Sequence, residues 1–353
     1  MKAEDLATYT DQDPTERRQE LIDIATKYRL IGTGPDQILI FDVDDFAERR
    51  GGKNKKWLGK TINGQQILDA GFLSLTRGTS YGYRLTNGKQ QVVFAAKFTQ
   101  FKTMSEAQLA KVTMLGKHFK RTFELFNPIK SNGAHKDGGL KGEMSAEGYR
   151  AGYEKDVDFG AYKIKKRLGL DQAAIAATYR KHTDEMKDVA AYYEESYENL
   201  CPVARKHSLE WMDEFQMPEY GATKIIFDRS NPDYVVERTV SGSNLTVTRY
   251  DFSNVFHRDN DASPFSFGIW FLTDSDGKPV IDKDATRTAV DGGQFVLPEF
   301  KIAVDFGGCA GQIDMMWRGS QDLHATARSR TKAGYMRFGT STSAKSDFPV
   351  ERS

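Results

Sequence analysis

A run of short strand candidates after Pro218 restricts the fold more than any other feature. "TKIIFDR", "YVVERTV", "LTVTRYDFSNVFHRD", "FSFGIWFLTD", "QFVLPEF", "KIAVDFGG", "QIDMMWRGS", "LHATARS" and "GYMRFGTST" follow one another, separated by turn residues. Regularly spaced short strands of this kind suit a β-sandwich or jelly roll. The first half of the chain has a different texture. "MSEAQLAKVTMLGKHFKRTFELF" (104–126) has helical spacing, with Ser105 as candidate N-cap and Pro128 just past the end. Residues 171–217 are also helical, broken at Cys201-Pro202, where the proline forbids a continuous helix. Residues 18–30 read as a short amphipathic helix, 37–45 as a strand, and Asn87-Gly88 as the turn of a hairpin. The Gly-rich stretch 127–160 is too long for an idle loop, so function or disorder is expected there. The expected fold is α+β. A double-stranded β-helix (jelly-roll) core occupies 218–353, and an α/β and helical portion occupies 1–217. The helices are expected to pack on the sheets as one globular unit.

Charge and cysteine usage narrow the class. The net charge of +1 on 353 residues gives no global basic field, so any nucleic-acid binding must use local patches. Two cysteines make no disulfide framework, which favours a reducing, intracellular setting. No apolar run approaches ~18 residues, so no membrane span is expected. Two motif likenesses fail on context. Gly78-Thr79-Ser80-Tyr81-Gly82 fits a nucleophile elbow, but a hairpin follows where a helix is required. "GGKNKKWLGKT" has the wrong glycine spacing for a phosphate loop and reads as a basic surface segment.

The histidines carry the most information. His118, His182 and His207 lie in helical stretches among charged residues, where a solvated or capping role is the default, and His135 lies in the Gly-rich loop. His257 and His324 instead sit at strand ends. Residues i and i+2 of a strand project to the same side, so His257 and Asp259 can hold one metal ion together. His324, several strands downstream, would complete a two-histidine, one-carboxylate face that leaves positions open for non-haem Fe(II) oxygen chemistry. A 2-oxoglutarate co-substrate also needs a cation for its distal carboxylate, and arginine suits this because its planar fork binds carboxylate bidentately. Arg337, inside the last strand, is the first choice and Arg330 the reserve.

These segments resemble a known family. "HRDNDASPFSFGIWF", "GGQFVLPEFKIAVDF", "DMMWRGSQDLHATA" and "NLTVTRYDFSN" are similar to the catalytic core of the TET/JBP dioxygenases, especially fungal Tet-like members, over about 220–340, with weaker similarity at 142–162. The resemblance implies Fe(II), 2-oxoglutarate and oxidation of a nucleobase methyl group, usually 5-methylcytosine in DNA. By motif it carries the iron ligands onto His257, Asp259 and His324, and the co-substrate arginine onto Arg337. An ascorbate-using relative has an extra carboxylate three positions after its aspartate. Here that position is Ala262, with Asp261 beside it. The alternatives are an N6-methyladenine demethylase, an ascorbate-dependent relative, and a non-catalytic jelly-roll binding module. A methylated base in a duplex must be flipped out to react. Candidate DNA contacts are Arg49, Arg50, Lys53, Lys55, Lys56, Trp57 and Lys60, with Lys136, Lys141 and Arg150 from the Gly-rich stretch. A nuclear setting is expected with DNA as partner.

Overall fold

Alternation along the strands decides which side chains meet. In the computed structural model the described residues are 29–49, 57–129, 141–151, 159–165, 171–222, 238–261 and 263–343. Among the described residues the order of elements begins with β1 (Arg29–Ile31), β2 (Ile38–Asp42), α1 (Val43–Arg49), α2 (Gly64–Asp69), β3 (Leu73–Leu75), β4 (Thr79–Thr86) and β5 (Lys89–Gln100). It continues through α3 (Glu106–Leu125), β6 (Lys141–Ala151), β7 (Phe159–Ala161), α4 (Gln172–Leu200) and α5 (Pro202–Glu214). The strand-rich half holds β8 (Asn244–Ser253), β9 (Ser266–Asp274), α6 (Lys283–Ala289), β10 (Val290–Gly292), β11 (Phe295–Leu297) and β12 (Ile302–Val304). It closes with β13 (Gly311–Trp317), β14 (Ala325–Thr326), β15 (Ser329–Thr331) and β16 (Tyr335–Ser343).

Among the described residues, ten strands form one sheet in the order β1-β2-β4-β5-β13-β9-β16-β8-β6-β7, and four form a second, β14-β11-β12-β3. A core lies between the two sheets, where Trp270, Phe295, Phe306, Ile313, Met315 and Trp317 meet. The other face of the large sheet is covered by α3 and α4. Phe267, Ile269 and Phe271 of β9 and Phe338 of β16 pack there against Phe119, Val189, Tyr193 and Tyr197. On both strands the period of two sends neighbouring residues to opposite sides. Trp270 therefore enters the core between the sheets. The result is an α+β fold with a jelly-roll core.

Local signals explain the helices. Ser105 caps α3 through a capping box with Gln108, Asp171 accepts the Ala173 N–H at the start of α4, and Pro202 begins α5. The 79–100 hairpin turns at Asn87 and Gly88, both with positive φ (52° and 76°).

Several expectations change. The helix expected over 18–30 meets a strand at Arg29–Ile31, and residues 18–28 lie outside the described residues. The strand expected over 37–45 stops at Asp42, where the Asp42 carboxylate accepts the Asp44 and Asp45 N–H groups and starts α1. The Gly-rich stretch is not an irregular loop throughout. Residues 141–151 form β6, paired with β8, because backbone pairing needs no β-branched side chains when a neighbouring edge is available. "TKIIFDR" and most of "YVVERTV" lie outside the described residues. The large sheet also takes strands from both sides of residue 217.

Candidate metal centre

His257 and His324 pair directly. Their backbones exchange two hydrogen bonds, His257 N–H to His324 O at 3.1 Å and His324 N–H to His257 O at 3.0 Å. This two-bond bridge holds the rings side by side, with centroids 4.5 Å apart and planes tilted by 49°. Each Nδ1–H donates to a backbone carbonyl two residues back, Val255 O at 2.8 Å for His257 and Asp322 O at 3.1 Å for His324. That bond assigns the tautomer and turns each Nε2 lone pair toward the third residue. Asp259 Oδ1 lies 3.4 Å from His257 Nε2, and Oδ2 lies 3.3 Å from His324 Nε2. Adjacent ligands on an octahedral ion with bonds of about 2.1 Å are about 3 Å apart, so the set is spaced for coordination. The histidines are buried, but the Asp259 side chain keeps 25% exposure, leaving an open side for further ligands. Burial alone would raise the Asp259 carboxyl, but the two imidazoles hold it well below the carboxylate range, and it raises His324 in turn.

Gly319 backs the aspartate. Its carbonyl accepts the Asp259 N–H at 2.9 Å, and a Cβ added there would lie 2.7 Å from Asp259 Oδ2 and 2.8 Å from Ser266 Oγ. Both atoms are side-chain tips that can move. Gly319→Ala is therefore expected to displace the ligand carboxylate more than it unfolds the protein. Metal affinity should fall about tenfold or more while the melting temperature changes by a few degrees at most, as read by metal titration and thermal denaturation.

Arg337 lies on β16 between Met336 and Phe338, which face the helices, so the alternation puts Arg337 on the jelly-roll side. It donates to Gly293 O at 2.7 Å, Phe252 O at 2.8 Å and Ser329 Oγ at 3.2 Å. Gly293 allows that approach, since a Cβ there would lie 2.3 Å from the guanidinium. Burial lowers Arg337 to about 10, which still leaves it charged at neutral pH. Arg337 Nε and, beside the His324 ring, Trp317 Nε1 are buried N–H groups with no hydrogen-bond partner among the described residues. Unpaired buried donors fit an anionic group that would enter between the sheets. Arg330 is exposed on β15 opposite Asp291, so the reserve residue does not face the interior.

A second cluster has a similar composition. Glu147 on β6 faces His118 of α3 at 2.9 Å and also contacts His182 of α4. Tyr220 donates its hydroxyl to Glu147 Oε1 at 2.6 Å. The expectation of solvated histidines fails here, because both rings are fully buried. The partners come from distant segments, which no local pattern announces. The rings stack at 3.9 Å with planes 13° apart, and each meets a different carboxylate oxygen. A nitrogen binds a metal along its in-plane lone pair, and near-parallel stacked rings place those lone pairs side by side instead of converging. With no exposed surface either, this cluster reads as a hydrogen-bonded ionic tie between helices and sheet, and the His257 cluster is the better metal centre.

Among the described residues, the nucleic-acid candidates do not gather into one patch. Arg50, Lys53, Lys55, Lys56 and Lys136, together with the Arg49 side chain, lie outside the described residues, as does Ala262. Trp57 is not a free stacking platform. It packs edge-on against Phe72 and Phe256 at 5.7 and 5.3 Å and so buttresses the strand leading to His257. Lys60 is exposed, and its carbonyl accepts the Phe256 N–H at 2.8 Å, which brings it close to the centre. Lys141 pairs with Ser253 at the near end of β6, whereas Arg150 stands nine residues along the strand, on the order of 25–30 Å away. A cleft of about 730 Å³, lined by Arg77, Lys102, Lys283 and Arg287 among others, contains no residue of the triad. It borders Ala310 before β13, while the triad lies beyond Trp317 at the opposite end of that strand.

The model of the Tet-like 2OG-Fe(II) oxygenase superfamily matches residues 105–329, which includes all three residues of the His257 cluster. The chain belongs to that superfamily. This Tet-like oxygenase is therefore an oxidoreductase of the type that uses Fe(II) and 2-oxoglutarate. Among solved structures, one titled NgTET1 in complex with 5mC DNA aligns over 86% of this chain and 88% of that chain, with 10% identity and a TM-score of 0.42. No curated protein matches this Tet-like chain.

Proposed function

We propose that the protein oxidises the methyl group of 5-methylcytosine in DNA, with His257, Asp259 and His324 as iron ligands and Arg337 as the anchor of 2-oxoglutarate. One observation carries the reading: two Nδ1-tethered histidines and a partly exposed aspartate converge beside the jelly-roll interior, at ligand spacing. Three protein ligands on one face leave the opposite face for co-substrate and O2. When bound, iron and 2-oxoglutarate supply an O2-derived oxidant strong enough to hydroxylate a methyl group, with succinate and CO2 as co-products.

The chain's own residues do the rest. The backbone bridge between the histidines holds their lone pairs without rotation, and Val255 O and Asp322 O keep the Nδ1 protons in place. Arg337, buried and charged, attracts a carboxylate into an interior that otherwise excludes water. The methyl group reaches the open side only if the base leaves the duplex. Lys60 and Lys141, near the strand ends that lead to His257, are suited to steady the flanking phosphates. A nuclear location accords with that substrate.

The test is turnover of full-length protein with Fe(II), 2-oxoglutarate and duplex DNA carrying either 5-methylcytosine or N6-methyladenine. Nucleosides are analysed by mass spectrometry and succinate is measured in parallel. The expected result is 5-hydroxymethylcytosine with matching succinate. Oxidation of N6-methyladenine alone would transfer the activity to that base. Succinate without base oxidation would remove DNA as substrate.

A further inference from the structure

The turn between β13 and β14 touches two of the three proposed ligands. Gly319 O accepts the Asp259 backbone N–H at 2.9 Å, and Asp322 O accepts the His324 Nδ1–H at 3.1 Å. These carbonyls stand three residues apart in a turn that has no regular sheet pairing of its own. What sets their positions is a side-chain fork. Arg318 donates through Nε to Asp322 Oδ2 and through Nη2 to Oδ1, both at 2.7 Å. Arg318 O also accepts the N–H groups of Gln321 and Asp322, at 3.0 and 2.9 Å, so side chain and backbone close the same loop. The two residues are only 8% and 4% exposed.

A buried ion pair is weak evidence for stability, because desolvation offsets much of the attraction. A planar bidentate fork is, however, strongly directional. It specifies where the loop's carbonyls sit, and those carbonyls specify the ring orientation of His324 and the backbone of Asp259. An outer tie acts on the same turn. Arg258, between the first two ligands, donates to Gln321 O at 2.7 Å and to Glu299 Oε1 at 2.8 Å, and Glu299 Oε2 accepts the Leu323 N–H at 3.0 Å.

We propose that Arg318 and Asp322 are positioning residues for the metal centre: their fork holds the 318–322 turn so that His324 and Asp259 meet one ion at coordination distance. This rests on the reading of His257, Asp259 and His324 as the iron ligands. Neither residue touches the metal, so their effect passes through Gly319 O and Asp322 O.

The test is anaerobic titration of the full-length chain with Co(II), whose visible bands report ligand number and geometry. Arg318→Lys keeps the charge but cannot fork, and Asp322→Asn keeps the shape but removes the ion pair. Each is expected to weaken Co(II) binding about 10–100-fold and to alter the bands. Arg205→Lys serves as the reference. It loosens a comparable contact with Glu194, at 2.7 Å, that is remote from the centre, and should leave Co(II) affinity and bands unchanged. The reciprocal double variant, Arg318→Asp with Asp322→Arg, is expected to recover part of the affinity. Wild-type affinity and bands in both Arg318→Lys and Asp322→Asn would overturn the proposal while leaving the metal centre intact. A wild-type chain that binds no Co(II) would instead remove the metal centre, and the positioning role with it.

Discussion

Replacing Asp259 with alanine is expected to abolish turnover and leave the fold intact. Asp259 contributes the only negative charge of the proposed ligand set, and its carboxylate faces the Nε2 atoms of His257 and His324. Its backbone N–H bond to Gly319 O survives the substitution. The side chain is a quarter exposed, so truncation removes little packing. Two neutral imidazoles alone bind Fe(II) far more weakly. Affinity should fall by at least about 100-fold, at or beyond the range seen when only an outer partner is lost. Fe(II) titration and succinate release measure the effect, and a thermal melt in chelator should place the variant within a few degrees of wild type. Retained turnover would break the ligand assignment.

Replacing Glu147 with glutamine is expected to do the reverse, lowering stability without touching the proposed metal centre. Glu147 is fully buried between His118, His182 and Tyr220, and it joins β6 to both long helices. The variant keeps the shape but leaves a buried histidine without its counter-charge, which typically costs about 3–5 kcal/mol. Urea denaturation should show an earlier midpoint with an unchanged slope.

The pH dependence follows from three opposing shifts. Burial alone would raise Glu147, but the histidines hold it well below the carboxylate range, so its stabilisation is present above the ordinary carboxylate pKa and lost as pH falls through the depressed native value. Burial is also the main influence on His182 and lowers it. The unfolded chain therefore takes up a proton below about 6.5 that the native state refuses, and stability falls with acid. His118 is raised despite burial, because Glu147 and Glu185 outweigh it. Its contribution is full below about 6.5 and is lost as pH rises through the native value. Stability should peak near neutrality, and the alkaline loss should be smaller in Glu147→Gln. An unchanged midpoint and pH profile would show that the cluster does not tie the layers together.

The grouping of His257, Asp259 and His324 was more legible in the sequence than most of the fold around it. His257-x-Asp259 is a local spacing. Although β8 ends at Ser253, the bridge from His257 to His324 and the Asp259 N–H bond to Gly319 O bring the three side chains together. The helices were legible because caps and prolines act within a turn: Ser105 with Gln108, and Pro202 after Cys201. Residues 141–151 were not, because Gly142 and Gly148 mask a strand whose partner, β8, lies a hundred residues on. His118 and His182 were misread for the same reason, since their burial depends on Glu147 and Tyr220. Trp57 suggested an exposed aromatic among lysines, but Phe72 and Phe256 cover it. The Arg318–Asp322 fork left no signal in the sequence, because a four-residue charge spacing fixes a geometry only once the turn between them is folded.

The small sheet carries a consequence for how the molecule is made. β3, at residues 73–75, pairs in parallel with β12, at residues 302–304, and β5 pairs with β13 across a similar separation. Neither side of the jelly roll is closed until most of the polypeptide exists. A chain emerging from the ribosome must therefore carry β3 and one edge of the β4–β5 hairpin unpaired through the synthesis of about two hundred further residues, and contacts of such range form slowly. In that interval α3 and α4 are made, and they cover one face of the large sheet before β13 arrives to close the β5 edge.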